Sequence, residues 1–97
     1  MRVISRKTLI KFWKNNKDAE QPLKAWFHEV ETASWAKPND IKKLYKSASI
    51  LKNSRVVFNI AGNKYRLVVV IRYEYNIVYI RFIGTHKQYD KIDVNTI

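Results

Sequence analysis

The 97-residue chain has no cysteine, so it can hold neither a disulfide framework nor a cysteine-based zinc site. It has only two glycines, too few for a glycine-rich phosphate loop, and it lacks a nucleophile elbow. A nucleotide-cofactor enzyme is therefore disfavoured, and no cofactor is expected. Its two histidines, His28 and His86, lie far apart in sequence with no acidic cluster at ligand spacing around either, so no metal site is expected. The longest aliphatic run, Leu67 to Ile71, is far too short to span a bilayer or form a signal-peptide core. Acidic residues are scarce as well, with 8 Asp and Glu against 19 Lys and Arg.

What is present points to one basic domain over residues 1–97. An apolar fraction of 46% is enough for a packed core and excludes a disordered tail. The net charge of +11 is spread evenly, with 11 basic and 5 acidic residues in 1–48 and 8 and 3 in 49–97. The folded body itself is thus positive, and its field steers it toward polyanions. Nucleic acid is the foremost class of partner, an acidic protein the next, and an anionic membrane surface the third. A soluble protein of the cytoplasm is the expectation.

The two halves differ in hydrophobic period. Arg2–Ile4 reads as a short strand. Ser5 stands as N-cap before a helix over 6–16 that carries Leu9, Ile10 and Trp13. Asp18 with Gln21 has the spacing of a capping box, and Pro22 fits the first turn of the helix that follows. Leu23, Trp26, Phe27 and Val30 form that helix's apolar stripe. Pro38 ends it, and Asn39 or Asp40 can cap a short third helix through Leu44 and Tyr45. Ser47–Ser54 reads as a polar connection.

The second half reads as a three-stranded meander. Gly62–Asn63 is a two-residue hairpin signal of type II′, and Glu74–Tyr75 marks a second turn. Opposed residues should sum to 125 across the first turn and 149 across the second. With the period-2 rule, these registers sort the strands into two faces. One face holds Val56, Phe58, Ile60, Tyr65, Leu67, Val69, Ile71, Tyr73, Val78, Ile80 and Phe82, and is core. The other mixes Val57, Ala61, Val68, Val70, Ile77, Tyr79 and Ile83 with Arg55, Asn59, Lys64, Arg66, Arg72 and Arg81. There Asn59 and Arg66 are direct neighbours, and Arg81 opposes Val68. A half-apolar, half-cationic surface suits nucleic acid or a docked peptide, although such cations also keep a sheet face soluble. The fold class is therefore α+β, with N-terminal helices packed on one face of a small, mainly antiparallel twisted sheet.

After the last strand, Gly84–Lys91 concentrates an imidazole, an ammonium, a phenol and a carboxylate. His86 is an acid–base group suited to neutral pH, and one helical turn would put Tyr89 on its side. Arg66 and Arg81 can stabilise charge developing on a phosphate.

The segments F-N-I-x-G-N-x-Y-R (Phe58–Arg66) and G-T-H-x-x-Y-D (Gly84–Asp90) together resemble the HigB-type toxins of bacterial type II toxin–antitoxin systems, within the RelE-like superfamily. The resemblance implies a β-α-α-(α)-β-β-β fold. It also implies a metal-independent mRNA interferase that enters the ribosomal A site, cuts translated mRNA by attack of the ribose 2′-hydroxyl, and is neutralised by a HigA-like antitoxin. Carried onto this chain, it implies His86 as general acid or base, Arg66 and Arg81 for phosphate charge, and Tyr89 for stacking on or hydrogen bonding to RNA. Lys64 and Lys87, with Asn59 and Arg55 on the same cationic face, would hold the RNA backbone. Asp90 would orient His86, cap the tail or touch substrate, and Gln88 supplies no carboxylate. A non-catalytic RNA- or ribosome-binding module, and a protein-binding module using the sheet face, are the competing functions.

Overall fold

The computed structural model describes residues 1–97. The chain runs β1 (Arg2–Ile4), α1 (Arg6–Asn15), a 3-10 turn (Lys17–Ala19), α2 (Glu20–Thr32), α3 (Pro38–Leu44), β2 (Ser49–Ile50) and β3 (Arg55–Ile60). It continues through β4 (Tyr65–Arg72), a second 3-10 turn (Tyr73–Tyr75), β5 (Ile77–Thr85) and α4 (His86–Asp90). The strands form one open sheet in the order β1-β5-β4-β3-β2, parallel only where β1 meets β5. The fold is α+β. No helix is long and apolar enough to cross a membrane.

The apolar sheet face packs as its alternation predicts. Nine of its residues, from Val56 to Ile80, join one core cluster with Leu9, Leu23, Trp26, Val30 and Ile41 from the helices. Phe58 anchors it: Trp26 and Tyr45 meet its ring edge-on at 5.5 and 5.1 Å, and Trp35 stacks at 6.3 Å. Full burial of such a ring contributes about 1.5–3 kcal/mol. At the edge of the sheet, the Met1 ammonium donates to Val30 O, Glu31 O and Ala33 O at 3.0, 3.0 and 2.7 Å. This satisfies carbonyls at the C-terminal end of α2, where a positive charge also complements the helix dipole.

Several local expectations are corrected. Asp18 makes no helix cap; α2 starts at Glu20, and the Asp18 carboxylate instead accepts from Lys64 and, at 2.6 Å, from the Tyr65 hydroxyl. Long-range partners thus displace a local cap. Ser5 sits at the N-cap position in the left-handed region, with no side-chain cap bond. α2 ends at Thr32, six residues before Pro38. Asp40 does not cap α3 as its N-cap; it lies in the first turn and accepts from Ala36 N at 2.9 Å. Ser49–Ile50, inside the expected connection, pairs with β3 as an edge strand.

Both turns are wider than two residues. Ala61 and Gly62 both adopt positive φ in a four-residue loop, and Asn76 does so after the second 3-10 turn. The register survives because widening is symmetric: Ile60 still faces Tyr65, and Arg72 still faces Ile77.

One correction reaches the second sheet face. The sum of 149 holds as far as Val69↔Ile80, and then a β-bulge intervenes. Arg81 is the extra residue, so Val68 faces Phe82, Leu67 faces Ile83 and Arg66 faces Gly84. A bulge of this kind shifts the alternation of everything beyond it. Ile83 therefore packs on the core cluster, whereas Phe82, expected in the core, moves to the cationic face.

Candidate active site

The second face is partly covered by the chain's own C-terminal segment. Val57 and Val68 are buried there, outside the main core cluster. α4 packs against β4 and β5. The Arg55 guanidinium donates from Nε at 3.1 Å, and also from Nη2, to the Ile97 main-chain oxygen. The tail thus runs from β5 across to β3.

α4 is seated by contacts at the end of β5, beyond the bulge. Thr85 is its N-cap: Thr85 Oγ1 accepts from Gln88 N at 3.2 Å, while Gln88 Oε1 accepts from Thr85 N at 2.8 Å. This is a complete capping box, and the T-x-x-Q spacing at 85–88 is its sequence signal, unused in the expectations above. The Gln88 amide and the Phe82 ring both occupy the space a side chain at Gly84 would need; a Cβ there would stand 2.6 Å from each. Gly84 is the strand partner of Arg66. The helix carrying His86 and Tyr89 is therefore anchored on the strand position directly across the ladder from Arg66.

Arg66 is positioned in turn. Its Nη1 donates to Asn59 Oδ1, on the strand partner expected from the sum of 125. Asn59 Nδ2 donates to Ser47 O at 3.4 Å. The Asn59 amide is thus engaged on both sides, and it fixes Arg66 from β3. Arg66 and Tyr89 are half-buried, and His86 and Lys87 are exposed. His86 and Tyr89 are one turn apart on a helix, so they share a side. Asp90 enters no side-chain hydrogen bond; the tail is capped by Thr85 and Gln88 instead.

Two other candidates lie elsewhere. Lys64 stands in the turn before β4 and reaches the helix side, where it pairs with Asp18 away from Arg66. The Lys64 and Tyr65 hydrogen bonds hold the Asp18 carboxyl below the usual carboxylate range, and Asp18 in turn raises Lys64. Arg81 lines a cleft of about 630 Å³ at the other end of the second face, together with Arg55, Arg72, Tyr79 and Val70. Arg72 belongs to this cleft although no motif singles it out.

Only two ion pairs form, Lys24–Glu20 at 2.6 Å and Lys64–Asp18. Neither involves Arg66, Arg72 or Arg81, so these guanidiniums carry their charge without a carboxylate partner. No three His, Asp or Glu side chains come together in a group able to hold a metal ion. Chemically, the Arg66 end offers a fixed cation, an imidazole and a phenol, a set suited to proton transfer beside an oxyanion.

A family model described as HigB_toxin, the RelE-like toxic component of a toxin–antitoxin system, matches residues 19–92. The chain is 29% identical over 92 residues to a protein of Escherichia coli K12 named mRNA interferase toxin HigB, covering 93% of this chain and 88% of that one. Proteins of Escherichia coli O157:H7 and Shigella flexneri named mRNA interferase HigB match to the same extent.

Proposed function

Since the chain belongs to the HigB toxin family of RelE-like toxic components, we propose that it is an mRNA interferase cutting translated mRNA in the ribosomal A site. One observation carries this reading: α4, bearing His86 and Tyr89, is seated over Gly84, the strand partner of Arg66. The ribose 2′-oxygen attacks the adjacent phosphorus, and the bond from phosphorus to the 5′-oxygen breaks. A 2′,3′-cyclic phosphate and a 5′-hydroxyl result. A base takes the 2′-hydroxyl proton and an acid supplies one to the departing 5′-oxygen, and His86 serves one of these steps. Arg66, held by Asn59, faces the charge that builds on the phosphate oxygens. Tyr89 stacks on or hydrogen-bonds to the RNA, and Lys87, exposed on the same helix, contacts the backbone. The need for a 2′-hydroxyl makes DNA inert.

The family implies an antitoxin partner, and we assign a HigA-like protein to that role. The place of action is then the cytoplasm.

Primer extension on translated messages after brief expression tests the reading. New 5′ ends should appear with the wild type. With His86→Ala the rate should fall by about 10²–10⁴, and with Arg66→Ala by about 10²–10³. Undiminished cleavage and growth arrest in both variants would refute the assignment. Translation arrest without new ends would instead indicate a binding module.

A further inference from the structure

The cleft at the far end of the second face has no part in the chemistry above. Its guanidiniums come from three strands: Arg55 on β3, Arg72 on β4 and Arg81 on the β5 bulge, around the Val70 floor and the Tyr79 ring. Arg81 is also the residue that the bulge adds to β5. Arg55 is engaged by the Ile97 oxygen and by Asn53 O at 3.3 Å. Arg72 and Arg81 are exposed and make neither a side-chain hydrogen bond nor an ion pair. No carboxylate lines the cleft.

We propose that Arg72 and Arg81, with Tyr79 between them, form a second RNA-backbone subsite that holds phosphates of the strand being cut, a few nucleotides from the scissile bond. This rests on the nuclease reading of the Arg66 end. Three features favour an RNA strand as occupant. The cleft and Arg66 share one sheet face, and Val70 lies four residues along β4 from Arg66, about 13 Å at strand rise. One extended strand that passes over the C-terminal segment covering Val57 and Val68 can therefore touch both. The guanidinium fork matches phosphate oxygens, and an aromatic ring among cations suits single-stranded nucleic acid. The unpaired charge has a polyanion as its complement.

The test is binding of a short 2′-O-methyl single-stranded RNA, which cannot be cut through the 2′-oxygen, measured by fluorescence anisotropy across a salt series. Arg72→Ala/Arg81→Ala should weaken binding at least tenfold and flatten the log–log salt dependence by about 1.4, two single-strand phosphate contacts' worth. Arg72→Lys/Arg81→Lys should keep the slope. The charge-matched control is Lys7→Ala/Lys11→Ala on exposed positions of α1, which should leave the slope unchanged. An arginine pair that behaves like the lysine control overturns the proposal. So does loss of antitoxin binding with RNA affinity intact, which would make the cleft a protein-docking site. The expected slope change supports the subsite whether or not the wild type cleaves RNA, so a failure of cleavage refutes the nuclease reading alone.

Discussion

Substituting Gly84 by alanine perturbs one methyl group and strikes the point where sheet and α4 meet. Gly84 is buried, and its φ needs no special freedom; the constraint is space. The added Cβ would stand 2.6 Å from Phe82 Cζ, 3.1 Å from Phe82 Cε2 and 2.6 Å from Gln88 Oε1. Both neighbours must yield. Displacing Gln88 breaks the bond to Thr85 N and half of the capping box, a loss of about 1 kcal/mol. Forcing the Phe82 ring aside adds overpacking of about 1–3 kcal/mol. The expected sum is about 2–4 kcal/mol, which for a domain of this size lowers Tm on the order of 10–20 °C. Thermal unfolding by circular dichroism measures this, and hydrogen exchange at the α4 amides should report local loosening. Phe82→Leu, which shortens the side chain that fills this space, should recover part of the loss when combined with Gly84→Ala, whereas independent sites would simply add. A Gly84→Ala variant melting within about 2 °C of the wild type, with unchanged α4 protection, would refute the packing argument.

The Asp18 carboxyl is held below its ordinary value by Lys64 and Tyr65, so its contribution is present above about pH 4 and is lost as pH falls through the lowered value. Asp18→Asn should therefore destabilise at neutral pH, while denaturation curves of variant and wild type converge as pH falls through that lowered value; a constant difference across the range would contradict this. Lys64 is raised by Asp18, so the same contact should weaken only at alkaline pH as its ammonium loses its proton, seen as a steeper basic limb in the wild type. Removing the charge of the Met1 amino group by acetylation leaves α2 carbonyls short of donors. It should cost about 1–2 kcal/mol, read as a lower urea midpoint with unchanged m-value. Asn59→Ala releases Arg66 and should lower kcat about tenfold to a hundredfold with little change in KM, because the guanidinium is misplaced rather than removed.

The alternation of residues 55–80 determined the meander, its two registers and the core face. Period-2 burial leaves one solution there, and symmetric widening of a turn does not alter which residues oppose each other. The stripe from Leu23 to Val30 likewise settled the helix that covers this face. The G-T-H-x-x-Y-D segment located His86 and Tyr89 on one helical turn, and the sum of 125 placed Asn59 beside Arg66.

Only tertiary structure decided the bulge at Arg81, since one inserted residue leaves no mark in the local apolar pattern. The bulge moved Phe82 out of the core and set Gly84 opposite Arg66. Long-range competition also decided Asp18 and Lys64, whose charges satisfy each other across 46 positions of chain in place of a helix cap and an RNA contact. Local sequence fixes what a segment can pair with nearby. The distant partner that outbids it is set by how the helices lie on the sheet.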